Sequence, residues 1–193
     1  MLVDSPVANV ANIARALRFV DAAVEPSRDA AVIARASKIV LPGVGSFAAA
    51  RTWLAETALD DALRDAVANG ASLLGICVGH QLLFDSSDEM GVTRGLGLIK
   101  GDVRKLEGAL PVPQIGWNRV RASGPLFEGV ENEAFYFVNS YAARNVAAEI
   151  ATADYDGSFT AGVQQGRVFG VQFHPEKSSS AGLRVLRNFV ACN

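Results

Sequence analysis

The sequence predicts a single α/β domain, with a mostly parallel sheet flanked by helices and antiparallel strands added in the C-terminal half. In the first half, short apolar runs alternate with helical patterns, an order that is typical of a parallel sheet covered on both faces. In the second half, short segments alternate in polarity and are separated by turn residues, as antiparallel strands do. No linker rich in proline, glycine or serine interrupts the chain, so residues 1–193 are expected to form one domain.

The first half contains a strand, a helix, a second strand and the start of a second helix. "KIVLPGVG" (Lys38–Gly45) is a β-branched run stopped by Pro42 and Gly43, which indicates a strand that ends in a loop. Phe47–Asn69 has alanines and leucines at helical spacing, and Gly70 stands where a helix C-cap is expected. "ASLLGIC" is the next predicted strand, and "VGHQLLFDSSDE" begins the next helix.

The second half predicts strands and a closing helix. "GDVRKL", "NRVRAS", "AFYFVNSYAAR" and "EIATADYDGSFTAGVQQGRVFGVQFHP" are short and turn-rich, which favours antiparallel strands that extend the sheet. "SAGLRVLRNFVACN" has helical spacing and is expected to close the fold as a C-terminal helix.

The composition excludes several classes of function. A net charge of −2 over 193 residues argues against nucleic acid as the main ligand, because phosphate binding needs a basic surface. No signal peptide is evident, and no apolar run approaches the ~20 residues of a membrane helix. Two cysteines are few for a disulfide framework and fit a reducing cytoplasm. No histidine or cysteine pair has ligand spacing, so neither a metal nor a cofactor is expected.

The segment "GICVG" predicts a nucleophile on a sharp strand-to-helix turn. Cys77 lies between Gly75 and Gly79, directly between an apolar strand and a helical pattern. This spacing matches the G-x-S-x-G nucleophile elbow with sulfur in place of oxygen, where close neighbours must lack a Cβ. Such a turn exposes its side chain at the carboxyl edge of the sheet. The backbone N–H of Val78 is then free to donate to an oxyanion.

A cysteine nucleophile needs a base, and the sequence offers only His80 and His174. His80 lies one turn into the elbow helix, which favours a packing role. His174 follows the strand "RVFGVQF" and precedes Pro175, so it is expected at the same sheet edge as Cys77. Glu176 can turn back toward the imidazole and fix its tautomer. A second oxyanion donor is expected from "LPGVGSF", with the N–H groups of Gly43 and Val44 as candidates.

These motifs resemble a known family. "GICVGHQLLF" with "GVQFHPEKS" is similar to the class I (triad) glutamine amidotransferases, which hydrolyse glutamine through a glutamyl thioester. "LPGVGSF", "QIGWN", "FYFVNSY" and "QFHPEKSS" together resemble, within that class, the glutaminase subunits of imidazole glycerol phosphate synthase. The resemblance implies a flavodoxin-like, mostly parallel sheet flanked by helices. It covers the chain from about Ile39 to the C-terminus.

The resemblance implies a role for each matching residue. Cys77 is implied as nucleophile, His174 as base and then acid, and Glu176 as the group that orients it. The N–H groups of Val44 and Val78 are implied as the oxyanion hole. The residues implied to hold L-glutamine are Gln81, Glu89, Ser140 and Tyr141.

The resemblance also implies a protein partner. That partner is the (β/α)8-barrel cyclase subunit, which would use the released ammonia to form imidazole glycerol phosphate and an aminoimidazole carboxamide ribotide within histidine biosynthesis. Because free hydrolysis wastes nitrogen, we expect a poorly active chain until the partner binds its own ligand, with a peptide flip in "PGVG" as the switch. The residues implied to face the partner are Trp117, Asn118, Tyr136 and Lys177.

Two departures and several alternatives accompany this interpretation. Asp4 is followed by "SPVAN" where the family has a glycine-rich turn, although Asn9 is kept, and Asn139 stands where the family commonly has histidine. One alternative is the glutaminase of an anthranilate or aminodeoxychorismate enzyme, against which "GWN" and the lysine of "HPEKS" argue. A γ-glutamyl peptidase would act without a partner, and a non-catalytic scaffold would not need the triad.

Overall fold

The protein alternates strands with helices in its first half and is rich in strands in its second half. The computed structural model describes residues 1–6 and 8–192. Its strands are β1 (Leu2–Val3), β2 (Pro26–Ser27), β3 (Lys38–Gly43), β4 (Ser72–Cys77), β5 (Ser86–Ser87), β6 (Thr93–Arg94), β7 (Asp102–Lys105), β8 (Gln114–Ala122), β9 (Ala134–Asn139), β10 (Tyr141–Ala143), β11 (Glu149–Asp154), β12 (Ser158–Gln165) and β13 (Val168–Val171). Its helices are α1 (Val10–Phe19), α2 (Ala30–Ile33), α3 (Phe47–Glu56), α4 (Leu59–Ala68), α5 (Val78–Gln81) and α6 (Ser179–Ala191), with 3₁₀ turns at Pro125–Phe127 and Pro175–Lys177.

A nine-stranded sheet in the order β2-β1-β3-β4-β13-β12-β11-β8-β9 organises the fold. Neighbouring strands from β2 to β13 in this order are parallel, and those from β13 to β9 are antiparallel. A second sheet has the order β10-β7-β5-β6. The predicted α/β fold, with a parallel sheet extended by antiparallel strands, is therefore confirmed, as is the C-terminal helix α6.

Two helix groups and an aromatic cluster form the core. Helix α1 contacts α6, and α4 contacts α2 and α3. Phe135 and Phe173 stack with ring centroids 4.1 Å apart, both lie edge-to-face with Phe127, and Phe173 also lies edge-to-face with Phe137. All four side chains are fully buried, and burial of each contributes roughly 1.5–3 kcal/mol. Because Phe173 lies between the end of β13 and His174, this cluster fixes the chain that leads to His174.

The single helix predicted over Phe47–Asn69 is wrong. The structure has two helices, α3 and α4, separated at Thr57 and Ala58. Ala58 has a left-handed backbone (φ 54°), and the Thr57 hydroxyl donates to the carbonyl of Trp53 at 2.7 Å. Neither glycine nor proline marks this break, so the residue pattern alone did not indicate it.

The helix that follows Cys77 is also shorter than predicted, since α5 ends at Gln81. The next amides make tighter bonds, from Leu83 to His80 and from Phe84 to Gln81, so the chain turns away into the small sheet. Strand β3 in turn continues through Pro42 and Gly43, where it was expected to stop. Proline is tolerated there because β1 pairs with β3 only at Val40 and leaves the side of Pro42 without a strand partner. Within the described residues, no helix combines the length and apolarity needed to cross a membrane.

Candidate active site

Cys77 ends β4 and lies on a strained turn. Its backbone has φ 55° and ψ −112°, values that residues with a Cβ rarely adopt. This conformation turns the side chain out of the strand at the carboxyl edge of the sheet, and Val78 then begins α5. As the first residue of a helix, Val78 has a backbone N–H without an intrahelical acceptor. The geometry is that of the predicted nucleophile elbow.

The two glycines of "GICVG" are required because backbone segments approach them closely. A Cβ on Gly79 would lie 2.0 Å from the carbonyl oxygen of Leu41, and one on Gly75 would lie 2.5 Å from the carbonyl oxygen of Gly79. A Cβ on Gly43 would lie 2.8 Å from the amide nitrogen of Gly79. The elbow is therefore packed directly against the end of β3, where Gly43 is in register with Cys77.

His174 and Glu176 meet beside Cys77. His174 lies just beyond β13, which is parallel to β4 and pairs Val171 with Ile76. His174 Nδ1 lies 2.9 Å from Glu176 Oε1, and both side chains are almost fully buried. Cys77 interacts with His174 as well, and this interaction raises the pKa of the imidazole. The structure thus brings together the three residues predicted as a triad.

The environment of His174 favours the imidazolium. Burial lowers its pKa and is the largest single effect, but hydrogen bonds to Cys77 and Glu176 and the charges of both groups outweigh it. Together they raise the pKa of His174 from 6.5 to about 9. A protonated imidazole beside sulfur is the form that can give a proton to a leaving amine.

A cavity of about 250 Å³ opens in front of Cys77. Most residues predicted from the sequence line it: Val44, Cys77, Val78, Gln81, Glu89, Ser140, Tyr141, His174 and Lys177. Four further residues complete the wall: Gly45, Pro113, Val138 and Asn139. Gly43 and Glu176 lie behind this lining, next to the elbow and to the imidazole. The volume and the mixture of charged and amide groups suit a small polar substrate.

Two polar residues of the wall have partners within the chain. Glu89 Oε2 accepts a hydrogen bond of 2.6 Å from the amide of Phe47, the first residue of α3. Gln81 Nε2 donates to the carbonyl of Tyr141 at 2.9 Å and to Gln172 Oε1 at 3.0 Å. Glu89 therefore caps a helix and faces the cavity at the same time. Gln81 instead belongs to a buried network of amides.

The residues expected to face a partner divide into two groups. Trp117 is 56% exposed and lies edge-to-face with Tyr136, whose ring is 5.8 Å from Lys177 Nζ. Ile115, two residues before Trp117 on β8, is 63% exposed. Asn118 instead donates to the carbonyl of Asp154 at 2.7 Å. Trp117, Tyr136 and Lys177 thus lie on one surface, whereas the side chain of Asn118 is engaged within the chain.

The remaining titratable candidate is His80, which is completely buried in α5. Burial lowers its pKa to about 3, and its ring packs edge-to-face on Phe84. Both ring nitrogens are buried without a hydrogen-bond partner, which fits the packing role expected from the sequence. Among the described residues, no group of three or more His, Cys, Asp or Glu side chains could hold a metal ion.

The two departures from the family pattern lie at different places. Asn9 caps α1 by accepting from the amide of Asn12, and Val7 of the same loop lies outside the described residues. Asn139 lines the cavity and donates to the carbonyl of Tyr141 at 3.2 Å. Among the described residues of these two departures, Asn139 is the one that lines the cavity.

Comparison with known proteins identifies the family of this chain. A family model described as "Glutamine amidotransferase class-I" matches residues 1–192. The chain belongs to the class-I glutamine amidotransferases. The family predicted from the motifs around Cys77 and His174 is thereby confirmed, and the chain is a glutamine-hydrolysing enzyme by family.

Relatives within this amidotransferase family cover almost the whole chain. A protein of Herpetosiphon aurantiacus named imidazole glycerol phosphate synthase subunit HisH is 43% identical over 186 residues, which are 94% of this chain and 89% of that protein. A protein of Moorella thermoacetica with the same name is 42% identical over 193 residues, which are 97% and 92% of the two chains. A crystal structure titled glutamine amidotransferase has a TM-score of 0.79 at 19% identity and covers 98% of this chain and 96% of its own.

The sequence reasoning missed Gln172 beside the nucleophile, the cavity residues Gly45, Pro113 and Val138, and Ile115 on the exposed surface of β8. Gln172 is fully buried and places Nε2 3.9 Å from Cys77 Sγ. Its signal in the sequence is its position two residues before His174, a spacing that turns two side chains to the same side of an extended chain. Ile115 has the same spacing to Trp117 and was likewise overlooked.

Proposed function

We propose that this chain is the glutaminase subunit of an imidazole glycerol phosphate synthase and hydrolyses L-glutamine to glutamate and ammonia. The observation that carries the proposal is the position of Cys77 on a strained turn, in contact with the buried His174–Glu176 pair and open to a polar cavity. Family membership supports the reaction, and the names of the relatives support the pathway.

In the first half of the proposed reaction, Cys77 forms a thioester. The thiol proton passes to His174, and Sγ attacks the carbonyl carbon of the glutamine side-chain amide. The raised pKa of His174 favours this proton position. The imidazolium then protonates the amide nitrogen as the carbon–nitrogen bond breaks and ammonia leaves. Glu176 holds Nδ1 at 2.9 Å, so Nε2 faces the reacting atoms.

In the second half, water releases glutamate. Neutral His174 takes a proton from a water molecule whose oxygen attacks the thioester carbonyl, and the carbon–sulfur bond breaks. Cys77 leaves as the sulfur anion, paired again with imidazolium. The same two groups thus serve both steps, and the chemistry consumes one water molecule without any cofactor.

The oxyanion of both tetrahedral intermediates would be held by backbone N–H groups of Val44 and Val78. Each such donor typically contributes about 3 kcal/mol to the barrier. Val78 begins α5 beside the nucleophile, and Val44 follows Gly43, which is in register with Cys77. Val44 is 37% exposed, and Gly45 after it has φ 83°. Glycines on both sides of Val44 allow its peptide to rotate. This freedom supports the proposal that the Val44 N–H completes the oxyanion hole only when the partner acts on the loop.

Substrate recognition is assigned to the polar wall of the cavity. Glu89 would pair with the α-ammonium of glutamine, because it is the carboxylate of this wall that lies apart from the triad. Backbone groups of Ser140 and Tyr141 would bind the amino-acid end of the substrate. Gln81 would hold the Ser140–Tyr141 segment in place through its hydrogen bond to the carbonyl of Tyr141.

The proposed partner is a (β/α)8-barrel cyclase subunit, which would receive the ammonia in a heterodimer. The exposed side of β8 and β9 offers the surface, since Ile115 and Trp117 lie opposite Val138 and Tyr136 in the strand register. Val138 and Lys177 also line the cavity, so this surface is continuous with the site of ammonia release. Exposed aromatic and aliphatic side chains are typical of such contacts. Residues 1–193 would act as one glutaminase domain in the cytoplasm.

The test is ammonia release from glutamine by the purified chain, alone and with the cyclase subunit plus its nucleotide ligand. We expect strong activation in the full mixture and none in Cys77→Ala. Full activity without the partner would favour a γ-glutamyl peptidase or related hydrolase. Activation by an anthranilate or aminodeoxychorismate synthase subunit instead would reassign the pathway. Absence of hydrolysis in every mixture would contradict the enzymatic proposal and favour a scaffold.

A further inference from the structure

A buried network of three amides connects the cavity wall to the sulfur of Cys77. Gln81 Nε2 bonds to the carbonyl of Tyr141 at 2.9 Å and to Gln172 Oε1 at 3.0 Å. Gln172 Nε2 lies 3.9 Å from Cys77 Sγ. Gln81 is 4% exposed and Gln172 is completely buried, so neither amide can exchange these partners for bulk water.

The direction of the network is fixed by its first acceptor. The backbone carbonyl of Tyr141 can only accept, so the end of Gln81 that faces it must be the amino group. The second N–H of that group then donates to Gln172, which must present its oxygen. The amino group of Gln172 is left pointing at Cys77 Sγ. A rotation of the Gln172 amide would oppose two N–H donors and is therefore unfavourable.

The sulfur has a separate partner for each protonation state. Cys77 Sγ lies 3.9 Å from the carbonyl oxygen of Val138, which can accept from a thiol. That oxygen repels a sulfur anion, whereas the amino group of Gln172 attracts one. Strand register brings Gln172 there, because Val171 pairs with Ile76 in the parallel β13–β4 ladder. Gln172 and His174 thus approach the sulfur from the same short segment that follows β13.

We propose that Gln172 is a positioning residue that donates a hydrogen bond to the Cys77 sulfur anion, with its orientation set by Gln81 and the Tyr141 carbonyl. The inference rests on the proposed function, since the anion matters only if Cys77 is the nucleophile. Gln172 would thus stabilise the sulfur anion from the buried side, whereas His174 acts on it from the cavity side.

The test is the rate of Cys77 alkylation by iodoacetamide as a function of pH, measured in a Cys192→Ser background. Gln172→Met keeps the size of the side chain and removes the donor. We expect the pH of half-maximal rate to rise by about one unit and the rate at neutral pH to fall about tenfold, with the limiting rate at high pH nearly unchanged. A merely structural role would leave this midpoint in place, and an unchanged midpoint overturns the proposal.

Controls separate this inference from folding and from the proposed function. Gln165→Met, an exposed glutamine near the other end of the β12–β13 ladder, should give the parental midpoint. Gln172→Glu keeps the acceptor for Gln81 but places a carboxylate at the sulfur, so its midpoint should rise further. If Gln172→Met does not fold, Gln172→Glu provides the test instead. An alkylation midpoint of Gln172→Glu at or below the parental value refutes the proposal. Glutamine hydrolysis by the Cys192→Ser parent tests the proposed function independently.

The other titratable groups around Cys77 stay the same in all these variants, so they cannot produce the shift. They come from the loop before β6, from α5, β10 and the turn after β13, and they are Glu89, His80, Tyr141, His174, Glu176 and Lys177.

Discussion

Glu89 accepts a hydrogen bond from a helix and is proposed to bind the substrate, and two substitutions should separate these roles. Its carboxylate accepts a 2.6 Å hydrogen bond from the amide of Phe47 at the start of α3 and also lines the cavity. Glu89→Gln keeps an acceptor for the helix but loses the charge that would pair with the α-ammonium of glutamine. Glu89→Ala loses both.

The expected magnitudes follow from the two contacts. A hydrogen bond to a charged group contributes about 1.5–3 kcal/mol. Loss of the substrate contact in either variant should therefore raise KM for glutamine roughly 10- to 100-fold, with kcat changed by only a few-fold. Loss of the cap in Glu89→Ala should lower the melting temperature by about 4–10 °C. Glu89→Gln should melt within about 2 °C of the unmodified chain.

The assay combines glutamate production at varied glutamine concentration, with the cyclase subunit present, and thermal unfolding by circular dichroism. Glu56→Gln, at the exposed far end of α3, serves as the control and should match the unmodified chain in both measurements. A normal KM in Glu89→Gln would refute the substrate role. A normal melting temperature in Glu89→Ala would refute the capping role.

Three further perturbations have expected outcomes. Gly79→Ala places a Cβ 2.0 Å from the carbonyl oxygen of Leu41, so unfolding by urea should show a loss of about 1–3 kcal/mol or more; an unaltered stability would contradict the close approach. The pKa of His174 is about 9 in the folded chain against an ordinary value of 6.5. His174 therefore contributes as much as about 3 kcal/mol to the free energy of unfolding below pH 6.5, and this contribution is lost as the pH rises through 9. The decline in stability should be absent in His174→Gln. Trp117→Ala should weaken binding of the cyclase subunit about tenfold or more by calorimetry, whereas Phe19→Ala, which removes an exposed side chain at the end of α1, should not.

The sequence indicated those parts of the site that depend on local chemistry. The glycines around Cys77 and the position of His174 before Pro175 predict a turn and a strand end without any long-range information. The break at Ala58 was not predicted, because alanine favours helix and rarely adopts the left-handed conformation that it has there. The early end of α5 was not predicted either, since bonds to distant loops replace its next turn.

Gln172 was missed for a different reason. Its role depends on the register between β13 and β4, which places it beside Cys77 although the two residues are far apart in sequence. A glutamine between two apolar residues of a strand indicates nothing by itself. Only the network through Gln81 gives its amide a direction, and pairings across a parallel sheet cannot be deduced from one sequence.

The site is distributed over three adjacent parallel strands, and this arrangement predicts which steps a partner can control. β4 carries Cys77 and β13 leads to His174, whereas the proposed oxyanion donor Val44 follows β3 on a glycine-flanked loop. A partner that moves only this loop would change stabilisation of the tetrahedral intermediate and leave the thiol–imidazole pair intact.

Alkylation by iodoacetamide is a displacement at carbon and forms no oxyanion, so it reports on Cys77 and the groups around its sulfur and not on the oxyanion hole. Binding of the ligand-loaded cyclase subunit should therefore raise glutamine hydrolysis by a large factor and change the Cys77 alkylation rate, measured at neutral pH with Cys192 replaced, less than twofold. Steric protection by the partner is controlled with the unliganded cyclase subunit, which covers the same surface. If the ligand raises alkylation and hydrolysis in parallel, activation acts on the thiol–imidazole pair, and the Val44 loop is not the switch.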